Sequence, residues 1–397
     1  MRKLNPYYIF NIALIIIILL YSFHFSSYYP NLSINLIIFL AILIFLLFVG
    51  EAIFNLLIRQ TNLSDYNNRA DNYNHATFFA ILGTLIEGIY SRGFPLFTFS
   101  DDSVYGIPVF HVFLTVFISF VINLIFLKII NSKNNFHDDI LIIINLICLF
   151  LGLSRSVIVI TLLNSLWLFL LKKKSQKVKF NKKILLSLCV ILGLYAFGLI
   201  GNYRSNLQLN HDQNIFDSTL ISQVGGNPKV ANNKITGPFF WDYIYITSPL
   251  ANLQNMVNNK RFDNENTSDY LMLSQILPDT ISNRLFPEVK NEDISGYQIN
   301  SVLTVGTVFY RCYYISGWLG LFLMILYMML FPIFYILLIN YFAPEYLILG
   351  IAFLNTTYLL NLFGNMFNFS ITAWLLVVPF IFKLFNSIKR NKLQYHI

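Results

Sequence analysis

Ten long and predominantly apolar runs constrain the fold of this chain more than any other feature. An α-helix needs roughly 20 such residues to cross the hydrocarbon core of a bilayer, so each run predicts a transmembrane helix. Only 12% of the residues are charged, about half of the share that a soluble domain carries. The sequence therefore predicts an all-α polytopic membrane protein. The ten predicted spans lie near residues 7–24, 32–54, 76–91, 108–130, 139–153, 156–171, 184–201, 316–339, 345–363 and 368–385.

The distribution of Lys and Arg predicts how these spans are oriented. Basic residues in short loops stay on the cytoplasmic side. With the N-terminus inside, the cytoplasmic loops contain most of them, including the seven lysines of LKKKSQKVKFNKK, and the short outward loops contain only Arg92 and Arg155. We therefore expect both termini in the cytoplasm. The net charge of +8 is then an orientation signal, and nucleic acid is not an expected partner.

A long polar segment, residues 202–315, separates the seventh span from the eighth. A connection of this length without a role is unusual in proteins. We expect a membrane domain of seven spans over residues 1–201 and a large outer loop domain, periplasmic or extracellular, over residues 202–315. Three further spans follow within residues 316–397.

Several arginines lie near the predicted outer ends of the spans, where the orientation rule does not favour them. A single basic residue beside a span often only anchors it at the interface, whereas several guanidinium groups at one face fit the oxygens of a phosphate. The group predicts a site for a phosphate-bearing lipid head group or substrate. Its members are Arg92, Arg155, Arg204 and Arg311, with Arg284 in the outer segment.

The candidates for acid–base chemistry on this side are Glu87, Asp242 and His211. Glu87 lies about one turn before the outer end of the third span and shares a helix face with Ser91. Its carboxylate is either a general base in a partly desolvated cavity or the structural partner of an arginine such as Arg92. The order of the three names is our order of preference for the base.

Two histidines have open interpretations. His211 follows Arg204 by seven residues; with Arg284 they form either an acid–base and phosphate set or a group of surface side chains. His111 ends the acidic stretch FSDDSVYGIPVFH, whose spacing fits no metal motif. We interpret that stretch as a solvated turn.

An aromatic segment, TGPFFWDYIYITSPLANL, covers residues 236–253 of the outer loop. Aromatic rings stack on the apolar faces of sugars, while a carboxylate accepts hydrogen bonds from their hydroxyl groups. Asp242 with Trp241, Tyr243 and Tyr245 is therefore a candidate sugar-binding set. A packed core or an interfacial helix is the alternative.

Motifs for nucleotide or metal chemistry are missing from the sequence. It contains no G-x-x-x-x-G-K-[ST], no H-E-x-x-H, no G-x-S-x-G and no dinucleotide fingerprint, each of which has a known mechanical role. We expect a reaction that uses neither ATP, nor a cofactor, nor a catalytic metal.

The chain resembles the bacterial O-antigen polymerases, the Wzy-type enzymes that polymerise oligosaccharide repeat units. Ten spans with one large outer loop carry this resemblance, as do five local stretches. These are FPLFTFSDDSVYGIPVFHVF after the third span, the arginine in LGLSRS, the exit GNYRSN from the seventh span, TSPLANL, and the start GWLG of the eighth span.

The resemblance implies a fold like that of membrane glycosyltransferases of the polymerase and ligase type, in the bacterial cytoplasmic membrane. The implied substrate is a glycan linked to undecaprenyl diphosphate at the outer leaflet, and a Wzz-type chain-length regulator is an implied partner. The lipid diphosphate would be the leaving group. Arg155 and Arg204 are then the first candidates for contact with it, and transition-state charge would be stabilised without a metal.

Three other functions fit the same layout. One is a structural or scaffold membrane protein, which should keep working when Arg155 and Arg204 are replaced. An O-antigen ligase uses a similar donor but transfers the finished glycan to a lipid A core, and the sequence does not separate ligase from polymerase. A flippase or transporter of lipid-linked oligosaccharides is the third; it is expected to carry polar residues through its midplane and short loops on both faces.

Overall fold

The computed structural model describes residues 4–60, 73–98, 105–131, 136–152, 155–172, 180–208, 214–231, 233–261 and 269–394. In these ranges all regular structure is helical. The α-helices are α1 (Pro6–Tyr21), α2 (Ile34–Gln60), α3 (Asn74–Tyr90), α4 (Pro95–Thr98), α5 (Phe110–Asn131), α6 (Phe136–Leu151), α7 (Arg155–Lys172), α8 (Phe180–Gln208), α9 (Thr219–Val224), α10 (Thr236–Asn259), α11 (Asp279–Leu285), α12 (Pro287–Asn291), α13 (Val308–Phe342), α14 (Leu347–Leu360) and α15 (Ser370–Gln394).

Each predicted span coincides with a helix, which confirms an all-helical membrane protein. In the described residues, four helical stretches are long and apolar enough to cross a bilayer: Ile34–Ile58, Phe110–Asn131, Arg155–Lys172 and Val308–Phe342. Pro6–Ser22 and Ser370–Phe385 are shorter apolar helices. The number of ten crossings, their orientation and the domain boundaries remain predictions.

Buried tyrosines hold the helices together where prolines interrupt them. Pro332 lies inside α13 and has no N–H, so the carbonyl of Met328 one turn earlier loses its helical partner. The Tyr358 hydroxyl, on α14, donates to that carbonyl, and the Tyr7 hydroxyl, on α1, donates to the next one, of Met329, at 2.5 Å. Two neighbouring helices thereby satisfy the backbone of the broken turn.

Helix α13 has a second interruption near its start. Gly317 has φ 55° and ψ −137°, a conformation that only glycine adopts without strain. The first two turns of α13, which contain Arg311, are therefore set off from the long apolar part. The break coincides with the predicted start of the eighth span at residue 316.

We call residues 202–315 the outer segment, after its predicted side of the membrane. Its described part packs against one end of the helix bundle. Its longest helix, α10, contacts α8, α1 and α13. Hydrogen bonds join the segment to the α1–α2 connection through Phe25, Ser27 and Ser33, and to the α14–α15 connection through Asn365, Asn368 and Ser370. We call this end of the bundle the covered end. It consists of helix ends that the predicted topology places on the outer side.

Candidate functional site

A buried carboxylate contacts a histidine at the covered end. Glu87 lies one turn before the end of α3 and is only 2% exposed. Its Oε2 atom is 2.9 Å from Nδ1 of His111, the second residue of α5. Close packing of α3 against α5 brings the two together. We call Glu87 and His111 the Glu–His pair.

The loop between α3 and α5 is shaped to admit the histidine. Gly106 has φ 93°, and a Cβ atom there would come within 2.8 Å of the His111 ring. The Gly106 N–H donates to the Ser91 hydroxyl at 2.9 Å, which ties the start of the loop to its end. Glycine is thus required at this position for both the turn and the space beside His111.

A small cavity of about 10 Å³ adjoins the Glu–His pair, close to the volume that one water occupies. Glu87 Oε1 and the Tyr105 hydroxyl are both buried there without a hydrogen-bond partner in the described part of the chain. Burial, and secondly the neighbouring Glu87 charge, raises the pKa of Tyr105 to about 12. Tyr105 therefore stays a neutral donor beside the carboxylate.

The helix that carries His111 is linked to the outer segment through α15. Trp374 of α15 donates its indole N–H to Thr280 of α11 at 3.1 Å, and its ring packs on Phe113 with 5.0 Å between centroids. Phe113 is two residues after His111. The outer segment and α15 therefore contact the first turn of α5, the helix that carries His111.

This geometry can move a proton. An ionised Glu87 requires the Nδ1 proton on His111, and this hydrogen bond fixes the tautomer in which Nε2 is the basic atom. The His111 side chain is 26% exposed whereas Glu87 is enclosed. A histidine whose tautomer is fixed in this way has the geometry of a general base.

Two interpretations from the sequence need correction. Glu87 has His111 as its partner and not an arginine: Arg92 is exposed just after α3, with φ 56°. His111 does not lie in a solvated turn, because it belongs to α5 and its ring is held by Glu87. Asp101 and Asp102 lie outside the described residues.

The predicted phosphate ligands differ in their surroundings. Arg92, Arg155, Arg204 and Arg284 have exposed side chains, and none of them makes a hydrogen bond or ion pair with another described residue. Arg155 begins α7, three residues after Gly152, which lines the small cavity beside the Glu–His pair.

Arg311 is different, because it is half-buried and donates to the carbonyl of Val289 at 3.1 Å. Burial raises the pKa of Glu292, and the positive charges of Lys260 and Arg311 act in the opposite direction. Arg311 is therefore tied to the outer segment, and its guanidinium already has partners.

The aromatic segment is helix α10, which separates the three predicted sugar-stacking residues. Trp241 and Tyr245 stack on each other, 5.8 Å between centroids, and Trp241 donates to Asn202 of α8 at 2.7 Å. Tyr243 points to α1, where its hydroxyl accepts from the Phe25 N–H at 3.2 Å. The three rings do not form one platform.

Asp242 lines a second and much larger cavity, of about 980 Å³. We call it the α1–α10 cavity; its walls are the end of α1 with the residues that follow it, α8, residues 226–230, Asn233 and α10. Asp242 is 8% exposed, and its Oδ2 atom is buried without a partner among the described residues. This burial raises the pKa of Asp242 to about 6. His211 lies outside the described residues.

The comparisons with known proteins identify no relative. No family model matches the chain, and no curated protein and no solved structure is significantly similar to it. The resemblance to O-antigen polymerases therefore depends on the sequence motifs alone.

Proposed function

We propose that this protein is a membrane glycosyltransferase that polymerises glycan repeat units linked to a polyprenyl diphosphate at the outer face of the cytoplasmic membrane. The observation that carries the proposal is the Glu–His pair, with 2.9 Å between Glu87 Oε2 and His111 Nδ1 at the end of an apolar bundle. Its position fits chemistry at a membrane surface, where lipid-linked substrates present their head groups.

In the proposed reaction His111 acts as the general base. It takes the proton of an acceptor sugar hydroxyl, and the oxygen then attacks the anomeric carbon of the growing glycan. The bond between that carbon and the diphosphate oxygen breaks, and the lipid diphosphate leaves with the electron pair. Glu87 stabilises the imidazolium that forms, since the two charges lie in a desolvated site.

In this proposal the exposed arginines supply the positive charge that complements the leaving diphosphate. Arg155 and Arg204 keep their guanidinium donors available, because no described residue occupies them. Charge that develops on the leaving diphosphate is stabilised by such donors without a metal. Arg155 is our first candidate because α7 begins beside the small cavity next to Glu87.

The test uses a strain whose own gene is deleted and which expresses variants of this chain. Glu87→Gln and His111→Gln should replace long glycan ladders on a polysaccharide gel by single repeats, since general bases contribute about 10²–10⁴ in rate. His75→Gln is the matched control, because His75 is exposed at the other end of α3. Immunoblots of membrane fractions verify insertion. Wild-type ladders from an inserted His111→Gln protein would refute the proposal.

The same gels separate the related ligase function. Loss of a polymerase leaves one repeat unit on the lipid A core. Loss of a ligase leaves an uncapped core while long glycan accumulates on the lipid carrier. The second pattern would replace polymerase by ligase and keep the proposed role of the Glu–His pair.

Transport is the second candidate function, and buried polar side chains within the bundle favour it. Ser119 of α5 pairs with Thr161 of α7 at 2.7 Å, and Asn123 pairs with Ser165 of α7 at 3.2 Å. Asn164 is fully buried, with both amide atoms unpartnered in the described part of the chain. Polar groups in spans mark pathways in transporters. A transporter would lose function in Asn164→Leu and keep it in His111→Gln.

A further inference from the structure

The α1–α10 cavity is large and mostly apolar. Its volume of about 980 Å³ lies at the upper end of the roughly 300–1,000 Å³ of ligand pockets. Six of its apolar wall residues are Leu20, Phe25, Leu194, Phe239, Phe240 and Ile246. Walls of this kind favour an aliphatic chain or the apolar face of a ring.

Asp242 is the buried member among the polar residues of this wall. The other polar members are exposed or half-buried: His24, Ser27, Asn227, Lys229, Asn233 and Thr236. A buried carboxylate without hydrogen-bond donors is costly, and no described residue donates to this one. The carboxylate therefore has acceptor capacity that only a ligand or solvent in the cavity can use. A buried polar group of this kind, in a mostly apolar pocket, is the feature that fixes the orientation of a ligand.

The sign of the charge decides between head groups. A phosphate beside Asp242 would place two anions together in a site of low dielectric. Lys229 and His24 also line the cavity, but both side chains are exposed, so a charge on either is screened by solvent. An ammonium group would match the charge of Asp242 but would bring its own desolvation penalty into the apolar cavity. Hydroxyl groups donate hydrogen bonds without that penalty.

We propose that the α1–α10 cavity binds a neutral amphiphile, with its apolar chain against the aliphatic and aromatic walls and a sugar-like hydroxyl head group donating to Asp242. This inference goes beyond the transferase proposal and stands without it. The cavity contains neither residue of the Glu–His pair, and its walls are α1, α8 and α10 instead of α3 and α5.

Photoreactive probes test the proposal on the full chain in phosphatidylcholine nanodiscs. Three diazirine-bearing amphiphiles share one alkyl chain and differ in the head group: glucoside, phosphate or primary amine. We expect the glucoside to label peptides around residues 20–27 and 226–246 at the lowest concentration. Equal or stronger labelling by the phosphate or the amine would overturn the proposal, as would labelling by none of them.

Two Asp242 variants complete the experiment. Asp242→Leu should weaken glucoside labelling about tenfold or more, because a hydrogen bond to a charged acceptor is lost. Asp242→Asn should retain part of it, since the amide oxygen still accepts. Glu288→Leu is the control, because Glu288 is exposed on α12. The leucine variant is expected to fold, since replacing a desolvated charge by an apolar side chain is often neutral or stabilising. Unchanged labelling of Asp242→Leu would refute the role of the carboxylate.

Discussion

The pairing of Tyr358 with the proline turn of α13 gives a quantitative prediction for Tyr358→Phe. The change removes one hydroxyl and no carbon. Tyr358 is fully buried and donates to the Met328 carbonyl, which has no helical partner because residue 332 is proline. The carbonyl is therefore left unsatisfied inside an apolar bundle.

Two magnitudes bracket the expected loss of stability. Leaving a buried carbonyl unpaired costs about 1–3 kcal/mol in soluble proteins. Hydrogen bonds between transmembrane helices average about 0.6 kcal/mol, with a maximum near 1.7 kcal/mol, because the unfolded chain in the membrane finds other partners. A carbonyl released by proline has few alternatives in the native bundle. We therefore expect Tyr358→Phe to lower the free energy of unfolding by about 1–2 kcal/mol.

A double-mutant cycle with Pro332→Ala isolates the cause. Alanine restores the N–H that pairs with Met328, so Tyr358→Phe should cost at least about 1 kcal/mol less in that background. The assay is reversible unfolding in mixed micelles, with Tyr341→Phe as the control because the Tyr341 side chain is 80% exposed. Equal costs of Tyr358→Phe in both backgrounds would refute this explanation of the proline turn.

Two further predictions concern α10 and its neighbours. Because the pKa of Asp242 is raised to about 6 from its usual value near 4, its protonated form stabilises the fold. Relative to the Asp242→Asn protein, the free energy of unfolding of the wild type should fall by up to about 3 kcal/mol as the pH rises from 4 to 6, and remain level above that. Parallel pH curves for the two proteins would contradict this. In α8, Gly198→Ala should cost about 1–3 kcal/mol, because its Cβ would lie 2.1 Å from the Pro238 carbonyl oxygen. Gly193→Ala is the control, because Gly193 faces open space on the same helix, and it should be neutral or stabilising. Equal thermal stability of the two variants would argue against close packing of α8 on α10.

The helices could be predicted from the sequence because apolar length is a local signal. The predicted run 108–130 and the helix Phe110–Asn131 differ by two residues or fewer at each end. The long helix α10 was harder, because its sequence is rich in aromatic and polar residues and contains Pro249. In the structure this segment is a helix packed on α8, α1 and α13, and its sugar-binding role stays a prediction. Its stability comes from packing on α8, where glycines at 198 and 201 allow the two helices to approach closely.

The site could be predicted only in part. Glu87 was identified as a candidate base from its place near a helix end, but its partner His111 is 24 residues away, and nothing local links them. Asp101 and Asp102 favour a solvated turn before α5, and this interpretation left His111 out of the candidate site. A useful signal existed: consecutive antiparallel spans bring the end of one beside the start of the next, which places Glu87 near His111. No local pattern predicts that Asp242 lacks a hydrogen-bond donor, because this depends on which side chains α1 and α8 present to it.

Glu87 and Asp242, two buried acidic residues at the covered end, have opposite surroundings. Glu87 is bonded to His111, whereas Asp242 has an unpartnered oxygen among the described residues, and this difference separates their roles. Glu87 is enclosed and hydrogen-bonded to His111, so a proton taken up by the histidine gives a paired charge and not an isolated buried one. Asp242 has no partner, so its charge is most costly when the cavity is dry and is relieved by a ligand with donors. A diphosphate gains nothing from either carboxylate and is attracted by the exposed guanidinium groups of Arg155 and Arg204. If the protein acts as we propose, charge would favour the arginines over Asp242 as the diphosphate contact, and the unpartnered oxygen of Asp242 would suit the hydroxyl groups of a neutral glycan.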